Sequence, residues 1–151
     1  MMDERSLIEK LLRIEALHAG ATTPGERTAA ENAMHRIRAR LKEVEALEPP
    51  LEYRFSLPDP WKRQLFLALA RRYGLKPYRR AGQRYASVMI KVPARFVDET
   101  LWPEYSALSD SLGEYLSEVT TRVISETIHK DSSEAQEMHE PPALPGPARG
   151  G

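Results

Sequence analysis

The sequence predicts an α+β fold: an N-terminal αα-hairpin, then a βαββα module with a small three-stranded sheet and a long C-terminal helix. Three observations predict it. Apolar residues recur at helical spacing on both sides of one short connection near the start of the chain. A single stretch, LEYRFSL, alternates apolar and polar residues as a half-buried strand does. From Tyr105 onward the steps of three and four return and run to about Ile128. A length of 151 residues, with 41% hydrophobic and 29% charged, suits one domain with a single core, although the twelve prolines are unevenly placed.

Taken in order, Leu7, Leu11 and Ile14, flanked by Ile8 and Leu17, predict a helix over 4–18 that His18-Ala19-Gly20 ends. Thr23-Pro24-Gly25-Glu26 reads as a capping box with proline at the first helical position. The helix it opens carries Ala30, Met34, Ile37, Leu41 and Val44 on one face, and Pro49-Pro50 cannot continue it, so residues 1–48 form the hairpin. Leu51, Tyr53, Phe55 and Leu57 mark the first strand. Asp59-Pro60 caps a third helix, with Trp61, Leu65, Ala68, Leu69 and Tyr73 on one face and Gly74 as its stop. Residues 75–80, weakened by Pro77, and 84–92 read as two further strands joined at Ala81-Gly82, with Ala86, Val88, Ile90 and Val92 facing the core. A short helical stretch around Phe96 and Val97 follows, then a break or kink at Trp102-Pro103.

The last helix carries Tyr105, Leu108, Leu112, Tyr115, Val119 and Val123, and it outruns a small sheet. Either the N-terminal hairpin or a second copy must cover its far end, and the expectation is a homodimer centred near Leu112 and Val119. Residues 49–130 make the βαββα module. Residues 131–151, with four prolines and four acids and almost nothing to bury, read as a disordered tail.

The formal net charge of zero hides a segregated distribution. Between Pro60 and Val97 there is no acid, while Lys62, Arg63, Arg71, Arg72, Lys76, Arg79, Arg80, Arg84, Lys91 and Arg95 supply ten positive charges, leaving twelve basic against 22 acidic residues elsewhere. Sign asymmetry of this kind speaks to partners. Within it, KPYRRAGQRY gathers four cations and two tyrosines around a turn. If Ala81-Gly82 were a two-residue turn, Tyr78 would face Tyr85 and Arg80 would face Gln83, giving a ribbon suited to phosphate backbones and stacked bases. A type I turn with a glycine bulge would shift that pairing and separate the tyrosines. The candidate anion-binding residues are Lys62, Arg63, Arg71, Arg72, Lys76, Tyr78, Arg79, Arg80, Arg84, Tyr85 and Lys91. The expected partner is DNA, RNA or another polyanion. An acidic protein surface and plain protection of a hairpin edge are the competing accounts. An adaptor that self-associates through its long helix is the alternative function.

Other chemistries find little support. With no cysteine there is no disulfide, thiolate metal site or cysteine nucleophile, which suits a reducing compartment. His18, His35, His129 and His139 lack ligand spacing, no glycine-flanked elbow surrounds a serine, and no glycine-rich phosphate loop occurs. No cofactor is therefore expected, and an enzyme is the least favoured class. The N-terminus has no secretory pattern and no window is long enough for a membrane span, so a cytoplasmic protein without a membrane partner is expected.

Residues 6–41, SLIEKLLRIEALHAGATTPGERTAAENAMHRIRARL, resemble the N-terminal helical hairpin of domain of unknown function 2786, a bacterial and phage family. The matching features are the I-x-K-L-L-x-x-E start at Ile8 through Glu15, the Gly-Ala-Thr connection and the run from Glu26 through Met34. DPWKRQLFLALARRYGL is similar to the Trp-(Lys/Arg)-x-x-Leu helix that often follows in that family. The resemblance implies a small α+β protein with a non-enzymatic role, and it brings no catalytic residues.

Overall fold

A computed structural model describes residues 2–20 and 27–147. Its elements run α1 (Glu4–His18), α2 (Arg27–Leu47), β1 (Leu51–Ser56), α3 (Pro60–Arg72), β2 (Ser87–Val92), α4 (Ala94–Phe96), a π-helical turn (Val97–Leu101) and α5 (Trp102–Thr127). They fall into two compact units, one ending at Glu118 and the other beginning at Val119. The capping box expected at Thr23–Glu26 lies outside the described residues.

In the first unit, α1 begins where the Asp3 side chain accepts the Ser6 N–H at 2.7 Å. It packs on α2, whose arginines satisfy carbonyls left over at the ends of other helices. Arg40 Nη1 donates to His18 O at 3.0 Å, Arg36 to Gly20 O at 3.0 Å, and Arg38 Nε to Arg72 O at 2.7 Å. Cations are favourable at these negative helix ends. Asp59 caps α3, and Gly74 takes the positive φ of 82° that ends it. The core joins Ile37 and Leu41 of α2 to Phe66 and Leu69 of α3, Val88, Ile90 and Val92 of β2, and Leu101, Tyr105 and Leu108 beyond. Burying a side chain such as Phe66 contributes about 2 kcal/mol.

The sheet has two strands, β1 and β2, antiparallel with Leu51 opposite Val92 and Phe55 opposite Val88. The expected third strand at 75–80 does not form. Only Tyr78 bridges, exchanging both backbone hydrogen bonds with Met89 at 2.8 and 2.9 Å; in that register Lys76 would stand opposite Lys91, like charge on like, and Arg80 is already taken into the turn with Gln83. The turn at Ala81-Gly82 forms, with Gln83 N bonded to Arg80 O, but a second turn follows it with Ser87 N bonded to Arg84 O, so the expected hairpin ladder does not close on it. Gly82, at φ 85°, takes the left-handed third position of the first turn. Tyr78 therefore faces Met89, and Tyr85 lies out in the loop. Met89, on the face of β2 opposite Val88 and Ile90, is buried as well.

Of the break or kink expected at Trp102-Pro103, the break is absent: helix continues through it by widening to the π-turn, where Trp102 N bonds Val97 O. Pro103 cannot bond back and its ring would meet the carbonyl four residues earlier, and the looser turn accommodates both faults. Lys10 Nζ reaches Glu114 at 3.6 Å and Met2 N reaches Glu118 at 3.2 Å, so α1 supplies cover for α5 within this unit.

In the second unit α5 ends near Ile128, whose N–H bonds Ile124 O at 2.8 Å. From 129 to 147 the chain forms neither helix nor strand and is exposed throughout. Among the described residues no helix is long and apolar enough to cross a membrane.

Candidate functional site

Helical periodicity places Arg63, Leu67 and Arg71 on one face of α3, at steps of four. Opposite them runs the 77–88 segment, joined to β2 by the Tyr78 backbone bridge to Met89 and by the Arg79 side chain on Ser87 O. Between the two lies a cleft of about 200 Å³ lined by Arg63, Leu67, Arg71, Pro77, Tyr78, Arg79, Tyr85, Ser87 and Val88. Three guanidinium groups border it and no carboxylate does.

The ring of Tyr85, 71% exposed, organises this cleft. The Arg63 guanidinium stands 4.4 Å from its centroid and that of Arg79 stands 4.6 Å away. Each cation is also fixed by backbone oxygens. Arg63 donates to Leu57 O at 2.7 Å, and Arg79 donates to Tyr85 O at 2.6 Å and Ser87 O at 3.1 Å. Donors already held by carbonyls keep their full positive charge, because carbonyls do not neutralise them. The loop thus presents ordered arginines at little further entropic cost to a ligand.

The other candidate residues separate into four groups. Lys76 and Arg84 are exposed on the segments beside the cleft. Arg80 pairs with Glu52, which also accepts from the Tyr78 hydroxyl, and Lys91 stands opposite that glutamate across the sheet. The Tyr78 hydrogen bond, with Arg80 beside it, holds the Glu52 carboxyl below the usual carboxylate range. Glu52 therefore offsets part of the charge on that side. Lys62 points elsewhere on α3, beside the Trp61 ring at 5.6 Å. Arg72 turns inward, where Nη2 meets Glu15 Oε1 at 2.6 Å and Ala30 O at 3.0 Å.

That inward turn exposes residues the sequence reading missed. Glu104, 0% exposed, receives the Tyr73 hydroxyl at 2.6 and 2.7 Å from its two oxygens. Burial raises its pKa to about 7, against the Tyr73 hydrogen bond and with Glu15 adding repulsion. Burial likewise raises Glu15 above its ordinary value despite Arg72. A signal for Glu104 was present, since Leu101, Glu104 and Leu108 share one helical stripe. Among the described residues no group of three or more His, Asp or Glu side chains could hold a metal ion.

No family model, curated protein or solved structure matches this chain. The resemblance to domain of unknown function 2786 therefore stands on the quoted residues alone.

Proposed function

We propose that this protein is a non-catalytic module that binds a polyanion, with nucleic acid as the partner, through the cleft between α3 and the 77–88 loop. The observation that supports this reading is the convergence of Arg63, Arg71 and Arg79 on one acid-free cleft, two of them anchored on Tyr85. Planar guanidinium groups match phosphate oxygens in pairs, and Lys76 and Arg84 extend the positive surface alongside. Because both arginines already occupy the Tyr85 ring, its role is to hold cations and base stacking recedes. Backbone tracking with little sequence preference follows from such a site.

The test is binding of duplex DNA and of single strands across a salt series. Wild type should lose affinity along a log-log slope of about minus three to minus five. Arg63→Ala, Arg71→Ala and Arg79→Ala combined should flatten it by about two to three units with the fold retained. An unchanged slope in that variant would refute the reading and leave the cluster as protection for an exposed loop.

A further inference from the structure

β1 has one edge unused. Tyr78 takes both backbone groups of Met89, so Met89 points away from β1 and its neighbours Val88 and Ile90 point toward it. Leu57 N bonding Ala86 O at 2.9 Å continues the same parity. In an antiparallel ladder it follows that Leu51, Tyr53 and Phe55 bond β2, while Glu52, Arg54 and Ser56 direct their N–H and C=O outward. All three of these residues are exposed, and among the described residues nothing accepts or donates at those groups.

We infer that β1 pairs with the β1 strand of a second copy of this chain, antiparallel about a two-fold axis at Tyr53, to make one continuous four-stranded sheet. Charge selects this register. Only even-numbered residues carry free backbone groups, so the partners of Glu52 are limited to even positions. Centring on Tyr53 sets Glu52 opposite Arg54 twice, whereas a shift by one pair in either direction sets Arg54 opposite Arg54 or Glu52 opposite Glu52. Arg54 makes no hydrogen bond or ion pair among the described side chains, so it is available for this contact.

The apolar face agrees. The same register sets Leu51 against Phe55 and Tyr53 against Tyr53, and it covers Leu51, which is 50% exposed. Trp102, stacked on Phe55 at 5.5 Å and 41% exposed, lies on that face as well. Growth stops at two copies. Pro50 and Pro58 occupy the outward-facing positions at either end and have no N–H, and the far edge of β2 is blocked by Tyr78. The contact is isologous and closes on itself.

Sedimentation of the full chain over a concentration series provides the first test, with a dimer expected to grow in. Arg54→Glu sets like charges opposite one another twice and should weaken the dimer about tenfold while leaving the melting curve in place. The chain has no cysteine of its own. Tyr53→Cys should therefore form an intermolecular disulfide on oxidation, since a non-hydrogen-bonded pair brings the two Cα atoms to about 4.5 Å. Arg54→Cys, facing residue 52 of the other copy, should not. A monomer at every concentration would overturn the inference. So would equal cross-linking of the two cysteine variants, or a dimer that survives Arg54→Glu but is lost in Leu112→Glu.

Discussion

Arg71 and Arg72 are neighbours in sequence and have opposite fates. Arg71 stays in water at the mouth of a cleft that holds only cations, and its charge is free to act on something outside the protein. Arg72, one residue and a hundred degrees further round the helix, is drawn against Glu15, with Tyr73 and Glu104 behind it. The outer region keeps like charges apart with solvent and an aromatic ring. The inner region holds two buried carboxylates and a buried phenol, with a half-buried guanidinium closing it toward solvent. Identical side chains thus stay in solvent in one place and are tied to a carboxylate in the other, and the difference in burial separates them.

The sharpest way to break this comparison is to exchange the two arginines' losses. Arg72→Met leaves the buried Glu15 without its half-buried counter-ion and should cost about 3 kcal/mol, read as a lower urea midpoint at constant m-value. Arg71→Met should stay within about 0.5 kcal/mol and weaken DNA binding instead. Equal destabilisation by both would show that Arg71 is structural.

The second effect is pH dependence. Glu104 binds its proton more tightly folded, at about 7, than unfolded, near 4.5, so between those values the native state holds the extra proton. Stability is fully present below the unfolded value and falls as pH rises through 7, by roughly 3 kcal/mol between pH 5 and pH 8. Glu15, also raised, acts in the same direction. Glu104→Gln should flatten the profile, as urea unfolding at several pH values would reveal. A profile in which wild type is most stable at pH 8 would contradict the buried carboxylate.

A smaller effect sharpens the outer half of the comparison. Tyr85→Leu removes the ring beneath two guanidinium groups and should weaken polyanion affinity by about 1 kcal/mol, leaving the salt slope unchanged because no charge is lost. A change in slope would mean that the arginines had left the cleft altogether. The smallest effect is expected from removing residues 131–151, since every described residue there is exposed. The thermal midpoint should not move, and a loss of cooperative melting would show that the tail takes part in folding.

Much of the fold was legible. The limits of α1, the cap at Asp59 and the stop at Gly74 each follow from residues within one helical turn, and the alternation in LEYRFSL is strong enough to fix β1 alone. The failures are equally specific. A strand at 75–80 exists only through its neighbours, and with Lys76 set opposite Lys91 and Arg80 drawn into the turn that follows, Tyr78 makes a single bridge. The Ala81-Gly82 turn was found, while its pairing register was not, because a second turn at Arg84–Ser87 is set by where Tyr78 meets Met89. At the candidate site, the acid-free composition pointed to the two segments that line the cleft. It could not separate Arg72, whose partner Glu15 is 57 residues away, or foresee that Glu52 would reach Arg80 across 28.

By itself the sequence determined whatever depends on short range: helical faces, caps, the one alternating strand, and the sorting of charge along the chain. Only the tertiary structure decided which cations remain in solvent, which carboxylates lose it, and which edge of the sheet is left open. The physical reason is that periodicity and capping are energies of adjacent residues. The worth of a charge or a backbone N–H depends instead on the dielectric and the partners that distant segments bring to it.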